Sequence, residues 1–204
     1  ISGAGLPMKL PSIKDKYPNI AIVPIVSNVK VLKILLKRWK GLYKKDIIPD
    51  AIVVEGPKSG GHQGVTSIDA CFLPENQLEA TIPPIVEYIK DNELNIPVFA
   101  AGGIWDKSDI TKFMDMGCSG VQMGTRFLAT NEADTSDTHK NLLLECSEDD
   151  IKIGLSPVGY PSRRIITNLH KLMETGEAPK IKCISNCVTD CNHGEKAKEV
   201  GYCI

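Results

Sequence analysis

Short segments of continuous apolar residues recur along this chain, and a stretch with helical spacing follows most of them. The segments are 20–26, 51–54, 97–101 and 120–123. Strands that are buried on both faces need continuous rather than alternating apolar residues, and such strands belong to parallel sheets. We therefore predict an α/β fold in which parallel strands are linked by right-handed helical crossovers.

The helices between these strands are predicted from amphipathic spacing and end signals. Residues 28–45 place Leu32, Leu35 and Trp39 on one stripe opposite basic residues, after a cap at Ser27 or Asn28. Further helices are predicted at 82–90, 107–116, 138–146 and 164–174, with a turn region at 156–161.

The strand count limits the architecture. An open doubly wound sheet and a closed TIM (β/α)8 barrel both fit the alternation, and periodicity does not choose between them. The four segments and a further strand end at residues 1–3 fall short of the eight strands of a barrel. We predict that residues 1–130 form the C-terminal part of a barrel, with strands equivalent to 4–8, and that 131–204 form a helical extension with a Cys-rich tail.

Composition excludes several other classes of protein. The chain has 204 residues, 42% of them hydrophobic, and a net charge of −1, so it can bury a core and lacks the basic excess of nucleic-acid binders. No apolar run is long enough to span a membrane, and the start lacks a signal-peptide pattern. We expect a cytoplasmic protein with no membrane or nucleic-acid partner. The odd number of cysteines, seven, favours reduced thiols.

Three loops that follow strands carry the candidate chemistry. In the first, Glu55 ends a strand, and Gly60 and Gly61 precede His62. Glycine allows the backbone to approach a planar or anionic ligand closely. An imidazole in such a loop can accept or donate a proton near neutral pH, although it could instead bridge backbone carbonyls within the turn.

The second and third loops contain a Gly102-Gly103 pair between a strand and a helix, and the run Gln122, Met123, Gly124, Thr125. Both offer backbone N–H groups to an anion. Phosphate bound after the last two strands is a recurrent feature of (β/α)8 barrels, so the order of these loops favours the barrel. Nucleotide-binding glycine motifs of the dinucleotide or Walker type are absent from the sequence.

These residues resemble the nitronate monooxygenase family, formerly the 2-nitropropane dioxygenases, and the related flavin-type enoyl-acyl-carrier-protein reductases. Segments 1–7, 23–27, 55–64, 100–104 and 122–127 look like the ends of the family's strands four to eight. The resemblance implies an FMN cofactor and His62 as the catalytic residue. It also implies FMN contacts at Glu55, Gly60, Gly61, Gly102, Gly103, Gln122, Met123, Gly124 and Thr125.

The implied reaction is the oxidation of a nitronate or nitroalkane by O2 to a carbonyl compound and nitrite. Two alternatives stay open: an NAD(P)H-dependent enoyl reductase on the same barrel, and a non-catalytic module that binds a phosphorylated ligand. The spacing of Cys183, Cys187, Cys191 and Cys203 does not match common zinc motifs, so we favour free thiols or a helix stripe there over a metal or iron–sulfur site or a disulfide. Trp105 follows the second loop and is a candidate for the mouth of the cofactor site, and Lys58 and Ser59 are candidates for substrate contact.

Overall fold

The structure, a computed structural model, describes residues 1–3, 5–44, 47–156 and 160–177. Its strands are β1 (Ile25–Val26), β2 (Ile52–Glu55), β3 (Gly61–His62), β4 (Val98–Ala101), β5 (Gly120–Gln122), β6 (Ile151–Leu155) and β7 (Pro161–Ile165). Its α-helices are α1 (Pro11–Lys16), α2 (Val29–Tyr43), α3 (Leu78–Asp91), α4 (Lys107–Asp115), α5 (Thr125–Leu128), α6 (Asp137–Glu145) and α7 (Asn168–Glu174). Short 3-10 turns occur at Asp69–Phe72, Pro74–Asn76 and Glu148–Asp150.

The predicted parallel sheet is present and its strands follow the chain order. The order is β1-β2-β4-β5, and all three neighbouring pairs are parallel. Ser2 forms a parallel bridge with Pro24, which adds the strand end predicted at residues 1–3. In the part of the chain that the structure describes, this sheet is open rather than closed into a ring.

The first strand is shorter than the 20–26 predicted. The N–H of Ile22 donates to the carboxylate of Asp50 at 2.7 Å instead of to a neighbouring strand. Pro24 has no N–H to donate, so regular pairing begins only at Ile25.

Two of the crossover helices lie where the sequence places them. In α2 the Asn28 side chain accepts the N–H of Val31 at 3.0 Å, which is the predicted cap. Helix α4 begins after Asp106, whose side chain caps it, and ends before Gly117, which adopts a φ of +97°.

Helix α3 begins earlier than predicted, at Leu78 rather than residue 82. Pro83 and Pro84 therefore lie inside the helix, where each removes one backbone hydrogen bond. Both prolines are on the exposed side, so water can reach the carbonyls that lose a partner. The buried stripe that includes Leu78, Ile82 and Ile85 outweighs that loss and sets the helix.

The segment after α6 contains a β-hairpin, so one prediction is wrong there. Strands β6 and β7 pair antiparallel from Ile151↔Ile165 to Leu155↔Pro161, and β7 also pairs with β3. The predicted turn region at 156–161 lies where the chain passes from β6 to β7, but the helix predicted from residue 164 begins only at Asn168. Hydrogen bonds to β6 and β3 hold residues 161–165 extended, whatever their local preference.

The core lies between the parallel sheet and helices α2, α3 and α4. Trp39, predicted to be a core residue, is fully buried there. Its indole N–H donates to the carbonyl of Pro7 at 3.2 Å, and this hydrogen bond connects the segment before α1 to helix α2. The helices thus cover one face of the sheet and leave the loops at its carboxyl edge in fixed positions.

Candidate active site

The loops predicted to carry the chemistry meet at one edge of the parallel sheet. Glu55 is in register with Ala101, and Ala101 is in register with Gln122. The three strands therefore end at the same level, and the segments that follow them start side by side. This is the edge where parallel α/β folds bind their ligands.

Glu55 is partly buried at this edge. Burial raises the pKa of its carboxyl group above the usual range, because the charged form loses contact with water. The carboxyl group therefore holds its proton to a higher pH than an exposed glutamate does.

Gly102 and Gly103 make a close contact between the first and second loops possible. Their φ angles are +104° and +73°, a region that favours glycine. A Cβ on Gly102 would lie 2.8 Å from the backbone N of Ser59, and one on Gly103 would lie 2.8 Å from the Cβ of Lys58. Packing between the loops thus requires these glycines independently of any ligand.

Gly60, Gly61 and Gly124 have a different setting. No atom lies within 4 Å of a Cβ built on any of them, and all three are exposed. Gln122 and Met123 are half-buried, and Thr125 is exposed at the start of α5. These positions leave open space above the sheet edge.

His62 lies beside this edge, in the second sheet rather than in a free loop. Its backbone is in register with Ser162 of β7. Its Nε2 lies 2.8 Å from the Oγ of Ser156, and its ring meets that of Tyr160 edge-on, with centroids 6.2 Å apart. The residue as a whole is exposed.

Gln63, and not His62, bridges the backbone carbonyls of the first loop. Its buried Nε2 donates to the carbonyls of Ser59 at 2.9 Å and of Gly61 at 3.0 Å. The alternative role considered for His62 is therefore filled by its neighbour, and the imidazole is left for other contacts.

Ser59 lies under the junction of the first two loops. It is only 8% exposed, and its hydroxyl is one of two buried side-chain polar atoms without a hydrogen-bond partner in the described residues. Lys58 beside it is exposed. These two neighbours, both predicted as substrate contacts, thus have different environments.

Trp105 links the second and third loops. The guanidinium group of Arg126 lies 4.7 Å from the centroid of its ring, which is a cation–π contact. Trp105 is 51% exposed, and its place at the mouth of a cofactor site stays a prediction.

Ser156, Tyr160 and Gln63 contact the predicted site, but the sequence does not single them out. For Ser156 and Tyr160 the available signal was the alternation of apolar residues in 151–155, which predicts a strand and hence a hairpin. Nothing in the local sequence shows that this hairpin pairs with His62.

The described residues show neither a candidate metal site nor a candidate membrane span. They contain no group of three or more His, Cys, Asp or Glu side chains arranged to hold a metal ion, and none of their helices is long and apolar enough to cross a membrane. The four cysteines of the tail lie outside the residues that the structure describes.

Comparison with known proteins identifies the family. The model of the family described as nitronate monooxygenase matches residues 1–201. Probable nitronate monooxygenases are similar to this chain: that of Staphylococcus saprophyticus is 32% identical over 152 residues, covering 74% of this chain and 41% of the relative. That of Bacillus subtilis is 33% identical over 133 residues, covering 63% and 34%. This chain belongs to the nitronate monooxygenase family and spans less than half the length of these curated relatives.

Two solved structures share the fold. FabK from Thermotoga maritima superposes with a TM-score of 0.64 at 26% identity, over 86% of this chain and 48% of FabK. Nitroalkane oxidase from Streptomyces ansochromogenes gives a TM-score of 0.62 at 22% identity, over 97% of this chain and 52% of the oxidase. Both are (β/α)8-barrel enzymes. The predicted fold class, part of such a barrel, is confirmed.

Proposed function

We propose that this chain carries the flavin-binding edge of an FMN-dependent nitronate monooxygenase, which oxidises alkyl nitronates with O2 to carbonyl compounds and nitrite. The supporting observation is the alignment of Glu55, Ala101 and Gln122 at one sheet edge, with an exposed histidine beside it. Membership of the family supplies the reaction class.

The residues present fit a flavin phosphate. Gly60, Gly61 and Gly124 leave open space where a Cβ would stand, and Thr125 offers an exposed hydroxyl. The residues that would hold FMN are those predicted from the sequence: Glu55, Gly60, Gly61, Gly102, Gly103, Gln122, Met123, Gly124 and Thr125. When bound, FMN supplies the electron-accepting chemistry that no amino-acid side chain provides.

His62 would handle protons and orient the substrate. The imidazole of this exposed residue can accept the proton of the carbon next to a nitro group, and the electron pair of the broken C–H bond then moves into the nitro group to give the nitronate. With a nitronate as substrate, the same ring in its protonated form can donate a hydrogen bond to the nitro oxygens. The neighbouring Tyr160 ring restricts the space on one side of it.

The direct test is to express the protein from its complete gene and record its flavin spectrum. The preparation should then be reduced anaerobically with propionate 3-nitronate or with NADH. Flavin reduction by the nitronate, with nitrite release in air, supports the proposal. In this protein, His62→Ala should retain bound flavin and lose most of its turnover, whereas unchanged turnover would remove His62 from catalysis.

An enoyl-acyl-carrier-protein reductase is the second candidate, because FabK shares the fold at 26% identity. It predicts NADH consumption with a crotonyl thioester and no nitrite from nitronate. A colourless protein that takes up no FMN would contradict both candidates and favour a non-catalytic binding module.

A further inference from the structure

The hydrogen bond between His62 and Ser156 is built from the backbone outward. Ser156 is 5% exposed, and its N–H donates to the carbonyl of Tyr160 at 2.8 Å across the hairpin tip. The hairpin strand β7 pairs with β3, which carries His62, and the N–H of Gln63 donates to the carbonyl of Pro161 at 2.8 Å. The small sheet therefore holds His62 in β3 and places Ser156 directly after β6, and the Nε2 of His62 lies 2.8 Å from the Oγ of Ser156.

This contact decides which ring nitrogen of His62 is available to accept a proton. A neutral imidazole has one N–H and one lone pair. If the Ser156 hydroxyl accepts a hydrogen bond from Nε2–H, the lone pair is on Nδ1. If the hydroxyl instead donates to Nε2, the ring proton is on Nδ1, and neither nitrogen has a lone pair free to accept a proton from a substrate.

We propose that Ser156 is a positioning residue for His62: its hydroxyl accepts a hydrogen bond from Nε2–H and leaves Nδ1 as the nitrogen that takes a proton from a neutral nitroalkane. The inference deepens the proposed function and depends on it for the identity of the substrate. In the step, the C–H bond of the substrate breaks, an Nδ1–H bond forms, and the electron pair moves into the nitro group. The buried hydroxyl then keeps one hydrogen bond to the imidazolium.

The first test reads the ring directly and needs no substrate. In ¹⁵N-labelled protein the Nδ1 and Nε2 shifts of His62, assigned with His62→Gln, report which nitrogen carries the proton. We expect the Nε2–H tautomer in the wild type and a mixture in Ser156→Ala. A wild type that carries the proton on Nδ1, or a tautomer that does not change in Ser156→Ala, overturns the inference.

The second test compares two substrates that differ by one proton. Against neutral nitroethane, Ser156→Ala should lower kcat by about 10- to 100-fold with little change in KM, because the charged ring loses a hydrogen bond. Against preformed ethyl nitronate, which has already lost the proton, kcat should change little. Equal losses on both substrates indicate a merely structural effect and overturn the inference.

Matched variants separate the effect of the Ser156 hydroxyl from the effect of changed packing around it. Ser156→Thr keeps the hydroxyl and should restore both the tautomer and the nitroethane rate. Ser162→Ala makes the same change at a serine that is also 5% exposed and whose backbone pairs with His62. It should leave the tautomer unchanged, and a shift as large as that of Ser156→Ala would contradict the assignment. If the wild type turns over neither substrate, the proposed function fails while the tautomer result still decides the role of Ser156.

Discussion

The contact between the first two loops predicts that Gly102→Ala strongly destabilises the protein. A Cβ at this position would lie 2.8 Å from the backbone N of Ser59 and 2.9 Å from the backbone O of Gly56, and neither can rotate away. A φ of +104° adds strain for any residue with a Cβ. We expect the free energy of unfolding to fall by about 1–3 kcal/mol because of the backbone conformation and by about 1–3 kcal/mol because of the overlap.

Two other glycines of the same site separate these contributions. Gly61 has a φ of +85° and open space, so Gly61→Ala should show only the conformational cost. Gly60 has open space and does not have a positive φ, so Gly60→Ala should be neutral or slightly stabilising, by up to about 1 kcal/mol. We therefore expect the free energy of unfolding to be highest for Gly60→Ala, lower for Gly61→Ala and lowest for Gly102→Ala.

Urea unfolding followed by tryptophan fluorescence measures this order, because Trp39 is buried in the core and changes environment on unfolding. Midpoints are comparable if the slope of the free energy against urea stays constant across the series. A Gly102→Ala protein as stable as Gly60→Ala would refute the packing of the two loops described above.

Three further perturbations follow from single groups. Glu55→Gln should raise the free energy of unfolding at pH 7, because burial raises the pKa of that carboxyl, and urea midpoints should show the gain shrinking as the pH falls through the raised pKa. Asp106→Ala should lower the melting temperature measured by circular dichroism, since the carboxylate caps α4 by accepting two N–H groups. Burial raises the pKa of the Cys118 thiol to about 11, so iodoacetamide at pH 8 should label Cys118 only after urea is added, as peptide mass spectrometry can show.

Each of these has a result that would contradict it. The sign for Glu55 follows from the folded state binding its proton more tightly than the unfolded state, so wild-type stability is lost as the pH rises through that window. A constant difference between Glu55→Gln and the wild type at all pH values would exclude this linkage. Asp106→Asn keeps a capping oxygen and should melt near the wild type. Labelling of Cys118 as fast as that of the partly exposed Cys146 would show that its surroundings open readily.

Local signals predicted most of the sheet and its helices. Asn28 and Asp106 are capping residues whose hydrogen bonds depend only on the next few residues, so the starts of α2 and α4 were predictable. The start of α3 was not, because the rule that proline sits in the first turn competes with a buried stripe, and packing decided. The position of Glu55 and Gln122 at the same sheet edge was predictable, because the carboxyl ends of parallel strands lie at one edge of the sheet.

The surroundings of His62 could not be read from the sequence. Its partner Ser156 is 94 positions away, and strand β7 pairs with it only because of the tertiary arrangement. Residues 161–165 have no strong alternation, so their extended form depends on hydrogen bonds to β6 and β3. The helix predicted from local spacing was therefore started at residue 164, four residues before Asn168.

The pairing of His62 with Ser162 has a consequence for synthesis. During translation, the whole parallel sheet, through Gln122, leaves the ribosome before Ser162 does, so the barrel segments can assemble while the histidine strand still lacks its partner. His62, the proposed acid–base group, would then be the last part of the candidate site to reach its place. A nascent chain arrested before residue 151 should protect the amides of β2 and β4 from hydrogen exchange and leave those of Gly61 and His62 unprotected.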